Sequence, residues 1–175
     1  IRLGDISFED DDLAEHDEPE PARRESDACR ELWRIIGNED ISLDYRDRAA
    51  EKLEQVAERG DTHAQYRMGQ LYRDGPLLIP DNHKAKHWLS QAAIQGLPEA
   101  QYALGKLLLS DDWEVRDTDE GIRWLKQAAE NGSHFAAYRL GKEYLEGNTV
   151  SKDTTRAADW FTKSAEAGNQ YAQYM

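Results

Sequence analysis

The feature that most constrains this chain is a repeat of 36 residues. Glycine recurs at that interval, and alanine, tyrosine, aspartate and tryptophan recur in the same register. The recurring positions are Gly60, Gly96, Gly132 and Gly168; Ala64, Ala100, Ala136 and Ala172; Tyr66, Tyr102, Tyr138 and Tyr174; Gly69, Gly105 and Gly141; Asp81, Asp117 and Asp153; and Trp88, Trp124 and Trp160. This regularity predicts a stack of similar units that share a continuous core.

Each unit has the pattern of two helices. In the first half, apolar residues follow the spacing of one helical face, as at Ala64, Met68, Leu71 and Tyr72. The second half carries a comparable face over residues 85–93. Residues that favour the first turn of a helix mark the starts: Asp61, Asp81, Pro98, Asp117, Ser133, Asp153 and Asn169. The sequence therefore predicts an all-α solenoid of antiparallel helix pairs.

Small and aromatic residues indicate how the two helices pack. A glycine inside a helix, such as Gly69, costs about 1 kcal/mol relative to alanine. Its recurrence at one phase predicts that another helix crosses closely there, while the tryptophans fill the space between layers. In the loops between the two helices, Ile79, Val115 and Val150 are expected to be buried beneath the loop.

The pattern continues upstream in a degenerate form. Ala28, Leu32 and Ile35 align with the first helix, whereas Lys52 replaces the tryptophan of the second. We expect helices near 27–36 and 45–58 that form a capping repeat over 27–58. Residues 59–175 then hold three full repeats and a truncated one. Because the chain begins at Ile1 and stops inside a recurring motif, we expect it to be part of a longer protein.

Charge is distributed unevenly along the chain. The formal net charge is -13, and residues 1–20 hold nine acidic residues against one arginine. Residues 1–26 are interpreted as an acidic arm, either a solvated linker or a segment that docks on the array. An acidic chain argues against direct binding to nucleic acid or to an anionic membrane. Its single cysteine excludes an internal disulfide and favours a cytoplasmic location.

The sequence contains no recognisable catalytic or cofactor motif. Phosphate-binding loops, dinucleotide-binding glycine patterns and nucleophile elbows are missing. His83 and His87 have a metal-compatible spacing but no third ligand, and Cys29 has no paired histidine. We therefore predict no enzyme activity, no metal and no cofactor.

The repeated motifs resemble the Sel-1-like repeat, a relative of the tetratricopeptide repeat. The Ala-Gln-Tyr triplet stands at residues 64–66, 100–102 and 172–174, and Trp-Leu or Trp-Phe follows at 88–89, 124–125 and 160–161. The resemblance covers residues 57–175 strongly and 27–56 weakly. It implies a right-handed superhelix and a scaffold or adaptor role. We expect a monomer, although the sequence does not fix the oligomeric state.

A narrower resemblance suggests an alternative function. Residues 72–80 and 138–145 look similar to the repeat tails of bacterial mobilisation relaxases. That resemblance implies an accessory domain of a larger DNA-mobilisation enzyme. No relaxase chemistry can be placed on this chain, because its tyrosines are repeat positions and its histidines are scattered.

In tetratricopeptide-like arrays the first helix of each pair lines the concave face, which binds partners. We call the residues predicted to lie there the first-helix stripe. They are His63, Tyr66, Arg67 and Gln70; Glu99, Tyr102, Ala103 and Lys106; and Phe135, Tyr138, Arg139 and Lys142. Tyrosines combined with cations could hold a protein or peptide segment, including an acidic one. The alternative is that the tyrosines are half-buried spacers and the cations a solvated surface.

Overall fold

The computed structural model describes residues 24–173, with side chains described up to residue 168. Within that range the chain forms eight α-helices and no strand: α1 Asp27–Gly37, α2 Leu43–Glu58, α3 Thr62–Asp74, α4 Asn82–Ile94, α5 Pro98–Leu108, α6 Thr118–Glu130, α7 His134–Glu146 and α8 Thr154–Gln173. Consecutive helices pack against each other, and α1 also contacts α3. The predicted all-α solenoid of helix pairs is confirmed.

The turn between one pair and the next is the same each time. Gly60, Gly96 and Gly132 have φ values of 100°, 93° and 95°, a left-handed conformation that favours glycine. The amide of Gly96 donates to the carbonyl of Ala93, and the amide of Leu97 donates to that of Ala92. These two bonds define a Schellman motif, which satisfies the last carbonyls of α4.

The loops within the pairs differ in sequence but close in the same way. The amides of Asp81, Asp117 and Asp153 donate to carbonyls in the last turns of α3, α5 and α7, at 2.8, 2.9 and 2.9 Å. Each of these aspartates then caps the following helix through its carboxylate. The capping roles predicted for Asp61 and Ser133 are also confirmed.

The prediction that Ile79 is buried beneath its loop is wrong. Ile79 is 88% exposed, whereas Val115 is buried and Val150 packs against the core. The α3–α4 loop carries three aliphatic residues in a row. Leu77 and Leu78 pack against the first core cluster, so Ile79 is left on the solvent side.

The close helix crossing predicted from the glycines is confirmed. A Cβ atom added at Gly69 would lie 2.6 Å from Leu89, and one at Gly141 would lie 2.7 Å from Phe161. At Gly105 it would lie 2.8 Å from the Cγ of Leu125 and 3.1 Å from the carbonyl of Gly121. Each first helix therefore lies against its second helix with no room for a side chain. The tryptophans pack as expected: Trp88 is buried, and Trp124 and Trp160 are partly buried against the next clusters.

Buried glutamines join one pair to the next. The Nε2 of Gln65 donates to the carbonyl of Ala57 at 3.2 Å, and that of Gln101 donates to Ala93 at 3.1 Å. Both bonds connect a first helix to the end of the preceding second helix. In the third repeat the equivalent residue is Ala137, which is buried and has no side chain to make this bond.

The degenerate first unit packs as a helix pair. Leu32 and Ile35 are buried as predicted, while Ala28 is only partly buried and Cys29 takes a core position. The Nε of Arg46 donates to the carbonyl of Ile36 at 2.8 Å, which holds α2 to the end of α1. Its role as a capping repeat stays a prediction.

The turn predicted at Gly168 is not formed, because α8 runs through that position to Gln173. At the three earlier glycines the helix after the turn packs against the helix before it, and this contact stabilises the turn. No helix of the described residues is long and apolar enough to cross a membrane.

The glycine crossing can be tested with Gly105→Ala. We expect a net loss of stability, because overpacking costs about 1–3 kcal/mol and exceeds the helix-propensity gain of about 1 kcal/mol. Gly37→Ala in α1 is the matched control, since an added Cβ there has nothing within 4 Å. Urea unfolding measures both, and an unchanged midpoint for Gly105→Ala would contradict the crossing.

Candidate partner-binding surface

The first-helix stripe forms a connected surface over α3, α5 and α7. Packing of the opposite face of each first helix, through residues such as Leu71, Leu104 and Leu140, turns the stripe away from the core. Side-chain contacts then join the helices across it, as described below. Within the stripe Ala103 is buried, so that position belongs to the core rather than to the surface.

Arg67, at one end of the stripe, is held by hydrogen bonds and by contacts with aromatic rings. Its Nε and Nη2 atoms donate to the two carboxylate oxygens of Glu25, at 2.8 and 3.0 Å. The guanidinium also lies 4.9 Å from the ring centre of Trp33 in α1 and 5.9 Å from that of Tyr66. A bidentate pair between aromatic rings is a strong way to bind a carboxylate.

Glu25 belongs to the last residues of the acidic arm, and Ser26 caps α1. The Glu25 side chain is 14% exposed. Burial tends to raise the pKa of this carboxyl, but the hydrogen bonds and positive charge of Arg67 outweigh burial and lower the pKa from its ordinary 4.5. The ionised form of Glu25 is therefore part of the fold.

Aromatic rings line the part of the stripe formed by α5 and α7. Tyr102 in α5 stacks on Phe135 in α7 with 6.1 Å between ring centres, and His134 lies 4.0 Å from Phe135. Tyr138 packs against Phe161 of α8 at 5.5 Å. Phe135 and Tyr138 are nevertheless 59% and 55% exposed, so one face of the aromatic row stays open to solvent.

Lys106 is a half-buried cation beside other cations. Its Nζ lies 4.3 Å from the ring centre of Tyr102. Burial lowers the pKa of Lys106, and the charges of Arg73 and Arg139 lower it further, against an opposing effect of Asp74. Among residues 24–168, no side-chain carboxylate lies within ion-pair distance of this ammonium.

The four predicted stripe cations are not equivalent. Arg67 is paired with Glu25, and the Nε of Arg139 donates to Glu143 at 2.6 Å. Glu143 is itself buried and also accepts from Thr149 at 2.5 Å, which fixes the α7–α8 loop. Lys106 and the exposed Lys142 are thus the stripe cations best placed for an external carboxylate.

The remaining predicted residues lie beside these charged and aromatic groups. Gln70 accepts from Arg67 at 3.2 Å and donates to the Tyr66 hydroxyl at 2.9 Å. His63 lies close enough to Glu25 to help lower its pKa. Glu99 is exposed and adds to the rise in the pKa of Tyr66, whose largest cause is burial.

Sequence reasoning missed several residues of the surface. Glu25 falls in the acidic arm, outside the predicted stripe, and Trp33 lies in the degenerate repeat, outside the clear motif. Arg73 follows the stripe residue Gln70 by three positions and could have been found by extending the helical spacing. Phe161 stands where the other two repeats have Leu89 and Leu125, and this difference could have indicated that it contributes to the surface.

Other candidate chemistry finds no support in the geometry. His83 faces Glu114 at 3.1 Å, whereas His87 faces Gln91 at 2.9 Å, so the two rings do not converge. The described residues contain no group of three or more side chains suited to a metal ion. Cys29 is buried beside Glu25, and burial, followed by the charge of Glu25, raises the pKa of its thiol far above the ordinary value.

These features define an all-helical repeat solenoid built of stacked helix pairs. Residues 62–97, 98–133 and 134–169 each match the Sel1 repeat. Because these matches cover more than half of the chain, the protein belongs to the Sel1 repeat family. Sel1 repeats generally mediate protein–protein interactions and are typically non-catalytic scaffolds.

Two solved structures show similar architecture. A Sel1 repeat protein from Oxalobacter formigenes is 27% identical with a TM-score of 0.61, and the match covers 66% of this chain and 88% of that one. The protective antigen c5321 of uropathogenic Escherichia coli, which has an SLR fold, is 33% identical with a TM-score of 0.70. That match covers 82% of this chain but 31% of the antigen. A search of curated protein sequences gives no match.

The Glu25–Arg67 pair makes stability depend on pH. Because the pKa of Glu25 is lower in the folded state, the pair contributes fully above the ordinary pKa of 4.5. The contribution is lost as the pH falls through the lower folded-state pKa. Glu25→Gln should therefore be less stable than the native chain at pH 7, with a difference that shrinks on acidification.

Urea unfolding of both chains between pH 7 and pH 3 measures this effect. Asp44→Asn is the control, since Asp44 pairs with Arg48 on the exposed surface of α2. An exposed pair of this kind contributes about 0–1 kcal/mol. A Glu25→Gln difference that stays constant over the whole range would contradict the role assigned to the ionised carboxylate.

Proposed function

We propose that this protein is a non-catalytic binding module whose first-helix stripe, on the concave side of the array, holds acidic segments of partner proteins. The observation that carries the proposal is Lys106, a half-buried ammonium with Arg73 and Arg139 nearby. Arg73 and Arg139 are paired with Asp74 and Glu143, so Lys106 is the cation of the three that an added anionic group would pair. That group would gain charge-assisted hydrogen bonds in a partly desolvated setting.

The geometry of Arg67 supports an acidic ligand. At that end of the stripe, a carboxylate from a non-helical segment already binds between α1 and α3. Residues 24–26 precede α1 without regular secondary structure, and Glu25 reaches Arg67 from there. Carboxylates paired with the ammonium groups of Lys106 and Lys142 would align an extended acidic segment across α5 and α7.

The open aromatic faces supply the apolar part of the contact. Phe135 and Tyr138 are held by neighbouring rings, so little side-chain entropy is lost when a partner covers them. Tyrosine and phenylalanine are enriched at the cores of protein interfaces. The favoured partner segment is therefore acidic with at least one apolar side chain.

We also propose that the protein is cytoplasmic. The buried free thiol of Cys29 supports this location, because reducing compartments keep thiols free. We infer a monomer as the binding form. The alternative, an accessory domain of a DNA-mobilisation enzyme, stays a prediction, and the coding sequence upstream of Ile1 tests it.

Charge reversal tests the binding surface. A labelled twelve-residue peptide of Asp, Glu and Phe serves as the probe, with a counterpart that carries Lys in place of the acids. We expect the acidic peptide alone to bind, and Lys106→Glu to weaken binding by about tenfold or more, equivalent to about 1.4 kcal/mol. Lys142→Glu should have a smaller effect, because its ammonium is exposed and more strongly screened.

Arg123→Glu is the matched control, because Arg123 is an exposed cation on the second-helix layer. Fluorescence anisotropy gives the affinities, and circular dichroism verifies the fold of each variant. Equal losses for Lys106→Glu and Arg123→Glu would mean that net charge alone attracts the peptide, which would refute the stripe as the binding surface.

A further inference from the structure

The acidic arm ends in a contact with the stripe. Glu25 lies only five residues after Glu20, the last of the eight acidic residues in 9–20, a stretch that contains no lysine or arginine. Because Glu25 is bound to Arg67 with both oxygens, this end of the arm is fixed on α3. The rest of the arm is thus tethered at the edge of the surface assigned to acidic ligands.

We propose that residues 9–20 bind along the first-helix stripe of their own chain and compete with partner segments. This inference rests on the proposed function for its regulatory consequence, although docking of the arm can be measured by itself. The arm would act as a built-in substitute for the partner, and a partner would have to displace it.

The reach of the chain fits this arrangement. Five extended residues span at most about 17 Å, and α3 and α5 lie close enough for the charge of Arg73 on α3 to lower the pKa of Lys106 on α5. Glu20 can therefore reach Lys106 on α5 while Glu25 stays on Arg67. The acids further upstream are within reach of Lys142 on α7. Pro19 and Pro21 disfavour helical backbone at the residues before them, which suits an extended segment.

Charge complementarity selects the same surface. Arg67 and Arg139 are already paired with Glu25 and Glu143, whereas Lys106 and Lys142 have no side-chain carboxylate in ion-pair range among residues 24–168. Tethering raises the local concentration of the arm to about the millimolar range. Even weak pairing would then give a populated docked state, which salt would weaken.

A spin label detects docking directly. A nitroxide on Ala14→Cys in the full chain should broaden the amide signals around Lys106 and Lys142 and spare those around Arg123. Labelled native chain controls for reaction at the buried Cys29. Mixing labelled unenriched chain with unlabelled ¹⁵N chain separates binding within one chain from binding between chains. Signals in α5 and α7 that stay sharp, or broadening in the mixture that is as strong as in the uniformly labelled sample, would overturn the inference.

An arm-neutral variant supplies the charge control. It carries Glu9→Gln, Asp10→Asn, Asp11→Asn, Asp12→Asn, Glu15→Gln, Asp17→Asn, Glu18→Gln and Glu20→Gln. In this variant the broadening should disappear. A labelled peptide that copies residues 9–20 should bind the variant about tenfold more tightly than it binds the native chain, since the tethered competitor is removed. Equal affinity for both chains would count against competition by the arm.

The acid-and-Phe peptide distinguishes failure of this inference from failure of the proposed function. If that peptide binds the native and arm-neutral chains equally and no broadening is seen, the stripe is a binding surface and the arm does not cover it. If it fails to bind even the arm-neutral chain, the proposed function is wrong as well.

Discussion

The close crossing of each first helix over its second helix is the contact on which the rest of the structure depends. Gly105 and Gly121 face each other across it, with Leu125 filling the space beside them. Because this contact fixes the rotation of α5 about its own axis, it decides which residues face the core and which face outward. The position of the glycine in each first helix therefore decides which positions form the stripe, although the residues at those positions vary from repeat to repeat.

Backbone hydrogen bonds make the array tolerant of loop variation. The loops within the pairs share little sequence, yet each ends with an aspartate whose amide returns to the preceding helix. Since the closure uses main-chain atoms, the side chains between are free to differ. Ile79 and the exposed Trp113 lie in such loops, and their exposure costs the fold little because the core is sealed by neighbouring residues.

The repeat predicts the core well and the surface only in part. A 36-residue register shows which residues share a phase, and phase decides burial, so the helices, caps and glycine crossings follow from it. Phase does not tell which cation meets which carboxylate. The partner of Arg67 lies 42 positions away in a segment outside the repeat, and Glu143 differs from its counterparts at the same phase. The position of Ile79 depended on competition among three adjacent aliphatic residues, which spacing cannot resolve.

The alanine at position 137 has a consequence for the mechanics of the array. In a linear array, stability is close to a sum over units and over the junctions between neighbours. The first two complete junctions are tied by Gln65 and Gln101, whereas the α6–α7 junction lacks that tie. The α6–α7 junction is therefore held by apolar packing and by the backbone hydrogen bonds of its turn, without a glutamine that ties the two helices together.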